Sequence, residues 1–166
     1  MSDALNTAQS KSENSRPDML IRAQYLRDFS FESPEGPIPL IGTEEQPRID
    51  VQVSVKHKNI EKHGIECGLT LRVQSVLAEK TLFIAEGEYA ALVTFTREID
   101  REVVKGLLNI EVPRLLFPFA RQVIMESIVA GGFPPLNINP VDFNQIAKAA
   151  QEQQAAQMAP ASETIQ

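Results

Sequence analysis

PRLLFPFARQVIMESIVAGGFPPLNINPVDFN, running from Pro113 to Asn144, is the stretch that decides the fold. It reads as a long helix that ends, a rigid Pro-rich connection, and the start of a last helix. Apolar residues at Leu115, Leu116, Phe119, Val123, Ile124 and Ile128 make a stripe of period 3.6, with Arg114, Arg121, Gln122 and Glu126 mostly on the wet side. Pro113 suits a first helical turn, where its missing N–H has no partner to lose. Pro118 would clash with the carbonyl of Arg114, so the helix either kinks there or begins near Phe117. Gly131-Gly132 stops it with a left-handed cap. Phe133-Pro134-Pro135-Leu136 must then run extended, and Asp142 is placed to cap a helix from Phe143.

Upstream of this stretch the pattern is sheet. Ile21, Ala23, Tyr25, Phe29 and Phe31 share one parity against Arg22, Gln24, Asp28, Ser30 and Glu32, so the spacing predicts a half-buried strand with Asp28 and Glu32 on the same exposed side. A Pro/Gly loop follows to about Pro47. Ile49, Val51, Val53 and Val55 alternate with Asp50, Gln52, Ser54 and Lys56 as a second strand. Ile65, Cys67, Leu69, Leu71 and Val73 form a third, and Thr81 to Phe95 a fourth. Short connections favour antiparallel neighbours and a four-stranded, meander-like sheet. The fourth strand is apolar on both faces, with only Glu86 and Glu88 interrupting Leu82, Ile84, Ala90 and Leu92. One layer of helices covers one face, so oligomerisation is expected to cover the other. Asp100 to Leu108 reads as a short capped helix. The fold class expected is α+β, a four-stranded antiparallel sheet with helices packed on one side.

The 166 residues, 43% hydrophobic, suit one domain with ends. The domain is expected at residues 19–147, with a polar N-terminal tail at 1–18 and an Ala/Gln-rich, flexible tail at 148–166 that has few helical turns. No run of 18 apolar residues exists to span a membrane, and the N-terminus lacks the apolar core of a signal peptide. The single cysteine, Cys67, fits a reducing compartment, so a cytoplasmic location is expected. A net charge of −6 argues against nucleic acid, whose binding requires Lys and Arg at phosphates.

Chemistry-bearing residues are sparse. His57, His63 and Cys67 fall short of the four ligands in tight pairs that zinc sites use, so no metal and no cofactor is expected. Cys67 points inward on a strand without an orienting third residue, which disfavours nucleophilic catalysis. Asp28, Glu32, Glu86 and Glu88 read either as an ordinary solvated face or as an acidic patch for a Lys/Arg-rich partner; paired catalytic carboxylates would need a cleft that splits their pKa values. An oligomeric enzyme built on either cluster would show a deep polar pocket. A pure scaffold would close every apolar face by subunit contacts.

LLFPFAR at Leu115 to Arg121, followed by GGFPPLNINPVDF at Gly131 to Phe143, resembles the SecB protein-export chaperone family. YLRDFSFESP from Tyr25 and QPRIDVQVSV from Gln46 match that family's opening in the same order, and the similarity covers Leu20 to Ile146. The resemblance implies a cytoplasmic homotetramer, a dimer of dimers paired through the first strand and helices, without enzymatic activity. Such a protein holds unfolded secretory preproteins and delivers them to the SecA ATPase, with no membrane insertion of its own. By motif match, the SecA-docking positions fall on Asp28, Glu32, Ile84 and Glu86. Client binding is implied in apolar grooves between sheet and helices, with Ile49, Val51, Val53, Phe143 and Ile146 as candidates. The sequence departs from better-known relatives in its roof loop, Glu35 to Gln46, which has no aromatic residue, and at Ala147 and Ala150 in the last helix. A chaperone dedicated to a specialised partner, such as a toxin–antitoxin pair, is the alternative within the same resemblance.

Overall fold

The structure, a computed structural model, describes residues 18–158. All of the expected N-terminal tail except Asp18, and the end of the expected C-terminal one, lie outside those residues. Four antiparallel strands, β1 (Met19–Glu32), β2 (Arg48–Ile60), β3 (Gly64–Leu77) and β4 (Lys80–Phe95), form one sheet in the order β1-β4-β3-β2. Only β2, β3 and β4 make the expected meander. The loop after β1 is long enough to carry the chain across the sheet, so β1 pairs with β4 and β2 takes the opposite edge. The β3–β4 hairpin closes through Ala78 and Glu79, both at positive φ (45° and 65°), the conformation whose twist matches that of the flanking strands.

Period-2 alternation sorts the side chains. On β4 the odd residues face the helices: the Tyr89 ring stacks on Phe119 at 5.6 Å, and a side chain at Gly87 would meet Ile124 Cδ1 at 3.6 Å. Register carries this face to Cys67, Leu69, Leu71 and Val73 on β3 and to Ile49, Val51, Val53, Val55 and His57 on β2. β1 departs from its simple alternation. Register shifts between Ile21 and Ala23 and between Leu26 and Asp28 each insert an extra residue. Leu26, opposite Tyr89, therefore joins Phe29 and Phe31 on the helix face, while Ala23 and Tyr25 turn to the far face. Asp28, Ser30 and Glu32 share that far face, as expected.

The helices form one layer. Asp100 caps α1 (Arg101–Gly106), its carboxylate accepting from the Glu102 N–H at 2.8 Å. α1 runs through a π-helical turn, Leu107–Glu111, directly into α2 (Val112–Ala130), so the two helices expected from sequence are one continuous rod. Pro118 lies inside α2 at an exposed position rather than at its start. The buried stripe is also rotated from the expected one. Val112, Leu116, Phe117, Ala120, Ile124 and Ile128 are buried, whereas Leu115 and Phe119 are half-exposed. Phe133 N–H reaches the Ile128 carbonyl and Gly132, at φ 84°, closes the helix end. Asp142 caps α3 (Phe143–Met158) through Asn144 N–H at 2.9 Å. α3 continues well past Ile146, because alanine favours helix even where little is buried.

The π turn has a definite cause and a definite partner. Val112 N–H bonds the Leu107 carbonyl, and the next residue, Pro113, has no N–H to offer Leu108. The sheet supplies the missing donors: His57 Nε2 lies 2.9 Å and Cys67 Sγ 3.4 Å from the Leu108 oxygen. His57 and Cys67 are directly opposed in the β2–β3 register, so one cross-strand pair pins the helical rod to the sheet.

Candidate functional site

Two surfaces on opposite faces of the sheet gather the candidate residues. The first is a trough on the helix side, between β2 and the chain from Phe133 to Gln153. Its centre is a cavity of about 490 Å³ lined by Ile49, Val51, Val53, Leu136, Ile138 and Val141, with Ile146 at one end. Through Ile49 and Leu136 it adjoins a second cavity beneath the roof loop. Through Val53 and Ile146 it adjoins a third, whose wall is Ala147, Ala149 and Ala150 of α3. The three make one apolar channel along β2; from Ile49 to Val55 alone it runs for roughly 20 Å, about six extended residues.

Four of the five expected groove residues therefore come together: Ile49, Val51, Val53 and Ile146. Phe143 does not. It is only 1% exposed, and its ring meets Phe117 edge-on at 6.0 Å, so it belongs to the core beneath the channel. Leu136, Ile138 and Val141 form the wall opposite β2, a role their sequence does not announce beyond the alternation Leu136-x-Ile138. The channel stays open because the last helix presents alanine where larger side chains would close it, and the roof carries Ile38 and Ile41 outward, 70% and 80% exposed.

The second surface is the far face of the sheet. In the β1–β4 register Asp28 stands opposite Glu88, Ser30 opposite Glu86, and Glu32 opposite Ile84. Asp28, Glu32, Ile84 and Glu86 thus form one contiguous patch, with Glu88 as a further carboxylate. Directly opposed side chains sit ~5 Å apart at Cβ, so like charges here repel unless cations intervene. Two do. Arg72 Nη1 lies 2.8 Å from Glu86 Oε2, and Arg27 Nε 3.6 Å from Glu88 Oε1. Arg27 also bonds the buried Glu66, whose other oxygen accepts from the Tyr25 hydroxyl. Asp28 and Glu32 are exposed. Asp28, Glu86 and Glu88 also border a depression of about 340 Å³ beside Lys56, Thr70 and Arg72. These ion pairs are partly exposed, so each stabilises the fold by a fraction of a kcal/mol, on the order of 0.2–1.

Neither histidine set makes a metal site; among the described residues no cluster of three or more His, Cys, Asp or Glu could hold an ion. Burial pushes the Cys67 thiol up to about 12, which leaves it protonated and a poor nucleophile. No described helix is long and apolar enough to cross a membrane.

Comparison with known proteins places these surfaces in context. The family described as SecB, preprotein translocase subunit SecB, matches residues 12–154. The chain is 41% identical over 138 residues to the protein-export protein SecB of Rhodospirillum centenum, covering 83% of this chain and 82% of that one. It is 38% identical to that of Maricaulis maris over 166 residues, covering 99% and 94%, and 40% identical to that of Bartonella quintana over 146 residues, covering 87% and 92%. Among solved structures, a Mycobacterium tuberculosis SecB-like chaperone in complex with a peptide from an antitoxin matches with a TM-score of 0.61. That match spans 75% of this chain and 91% of the other at 15% identity, which speaks to the fold.

Proposed function

This chain belongs to the SecB family, and we propose that it holds unfolded secretory preproteins in the β2 channel and presents SecA with the opposite face of the sheet. It is a protein-export chaperone. The family is one of chaperones rather than enzymes. The observation that carries the reading is the open apolar channel, because an unfolded chain offers apolar side chains in no fixed order and apolar burial is non-directional. Burying one Val, Leu or Phe of a client contributes about 1.5–3 kcal/mol, so several in series offset the ordering of an extended segment without a sequence code. The channel is shallow enough to let the chain go.

Strand geometry separates the two tasks. Val51 points into the channel and Gln52 to the far face, so client and SecA address opposite sides of the same strands. On the far face Asp28, Glu32 and Glu86 would meet a basic segment of SecA, with Ile84 supplying an apolar contact and salt weakening the attraction. Assembly follows from what one chain leaves bare. Leu26, Phe29, Leu115 and Phe119 are each more than a third exposed along β1 and α2, and other copies would cover them in a tetramer built as a dimer of dimers. The protein would work in the cytoplasm, where its clients are made.

The test is a double dissociation. Val51→Glu should abolish suppression of aggregation of a reduced, unfolded preprotein while SecA binding by calorimetry persists. Asp28→Ala/Glu32→Ala/Glu86→Ala should do the reverse at unchanged oligomeric mass. If both variants lose both activities, or neither activity, the two-face assignment is wrong.

A further inference from the structure

Ser75 sits where the channel passes under the roof loop, on the helix face of β3. It stands opposite Ile49 on one side and Phe83 on the other, at the step where the β3–β4 register shifts. It is 1% exposed, and among the described residues its Oγ is a buried side-chain oxygen without a hydrogen-bond partner. Buried hydroxyls are normally paired, so an orphan marks a place where a partner arrives from outside. Ser75 lines a cavity of about 350 Å³ whose other walls include Leu40, Ile49, Phe83, Phe133 and Leu136. That size falls within the roughly 300–1,000 Å³ of small-ligand pockets. The Phe83 and Phe133 rings, 4.8 Å apart and tilted by 57°, give it an aromatic wall that suits a third ring.

We propose that this cavity is a tyrosine-selective anchor: a client tyrosine packs its ring against Phe83 and Phe133 and pairs its hydroxyl with Ser75 Oγ. The inference rests on the channel being the client site and adds a preference to it. Purely apolar anchors such as Phe or Leu fill the space and leave the serine unpaired. Tyrosine fills it and satisfies the serine, and its hydroxyl both donates and accepts, so either orientation of Ser75 is served. A site with a committed polar group discriminates by what the wrong ligand leaves unmade.

The experiment uses the full-length protein and two otherwise identical unfolded peptides with Tyr or Phe at one central apolar position, measured by calorimetry. The Tyr peptide should bind about five- to tenfold tighter, the weight of one net hydrogen bond. In Ser75→Ala, and equally in Ser75→Cys, which keeps the volume with a weak hydrogen-bonding group, the ratio should fall to about one through weaker Tyr binding. A ratio near one in the native protein, as a captive water on Ser75 would give, overturns the proposal; so does a ratio that survives both substitutions. Val51→Glu separates the levels. If it leaves both peptides' affinities unchanged, the channel itself is not the client site, whereas weakened binding with a native ratio of one removes only the role of Ser75.

Discussion

Replacing His57 with alanine should destabilise the fold, and by an amount that depends on Pro113. The Leu108 carbonyl lies in a buried residue, 6% exposed, and has no helical N–H because Pro113 follows the π turn. His57 supplies a 2.9 Å bond and Cys67 a weaker 3.4 Å one. Losing the histidine alone removes about 1 kcal/mol, the net value of one such bond, since the thiol still serves the oxygen. Losing Cys67 alone costs a similar ~1 kcal/mol, mostly for the small cavity it leaves. Losing both strands the carbonyl, which adds an unpaired-group penalty of about 1–3 kcal/mol, so the double variant should exceed the sum of the singles. Pro113→Ala returns an N–H at the right place, and in that background His57→Ala should cost much less. Urea unfolding at fixed protein concentration reads these differences as midpoints at constant slope. Strictly additive losses, or a His57 effect indifferent to Pro113, would refute the account of the π turn.

The Cys67 thiol should resist a maleimide at pH 8 in the folded protein and react at once in urea. Its folded pKa of about 12 exceeds the ordinary 9.0, so its contribution to stability is complete below pH 9 and is lost as pH rises toward 12. Ala78→Asn with Glu79→Gly should raise the unfolding midpoint by the equivalent of ~0.5–2 kcal/mol, because both positions hold positive φ that these residues accept more readily. Arg72→Gln should tighten SecA binding severalfold at low salt, since it frees Glu86 from a partner 2.8 Å away; unchanged or weaker binding would take Glu86 out of the docking patch.

Much of this architecture is legible in the residues, and the parts that are not have physical reasons. Alternation of period 2 in β2, β3 and β4 reports directly on a sheet with one face under helices, and Asp100 and Asp142 announce both helix starts. The bulges in β1 leave no glycine as a marker, so the true face of Tyr25 and Leu26 emerges only from pairing with β4. Helical periodicity finds an apolar stripe on α2 but cannot say which of two apolar faces the chain itself buries, so Leu115 and Phe119 read as core although they are half-exposed. The π turn is hidden because Pro113 gives the same signal at a true helix start. In the channel, β2 is visible from its pattern, whereas the opposite wall is not: prolines dictate that Phe133 to Val141 runs extended, not what it faces. Phe143 misleads for the converse reason, its size suiting a groove while the Asp142 cap turns it into the core.

Site-specific photocrosslinking from adjacent positions of β2 tests the central claim most directly. With a benzophenone side chain at Val51 the protein should capture a bound unfolded preprotein, and with the same group at Gln52 it should not, because the two positions face opposite sides of one strand. Equal capture from both positions, or capture from Gln52 alone, would contradict the assignment of the channel along β2 as the place where clients are held.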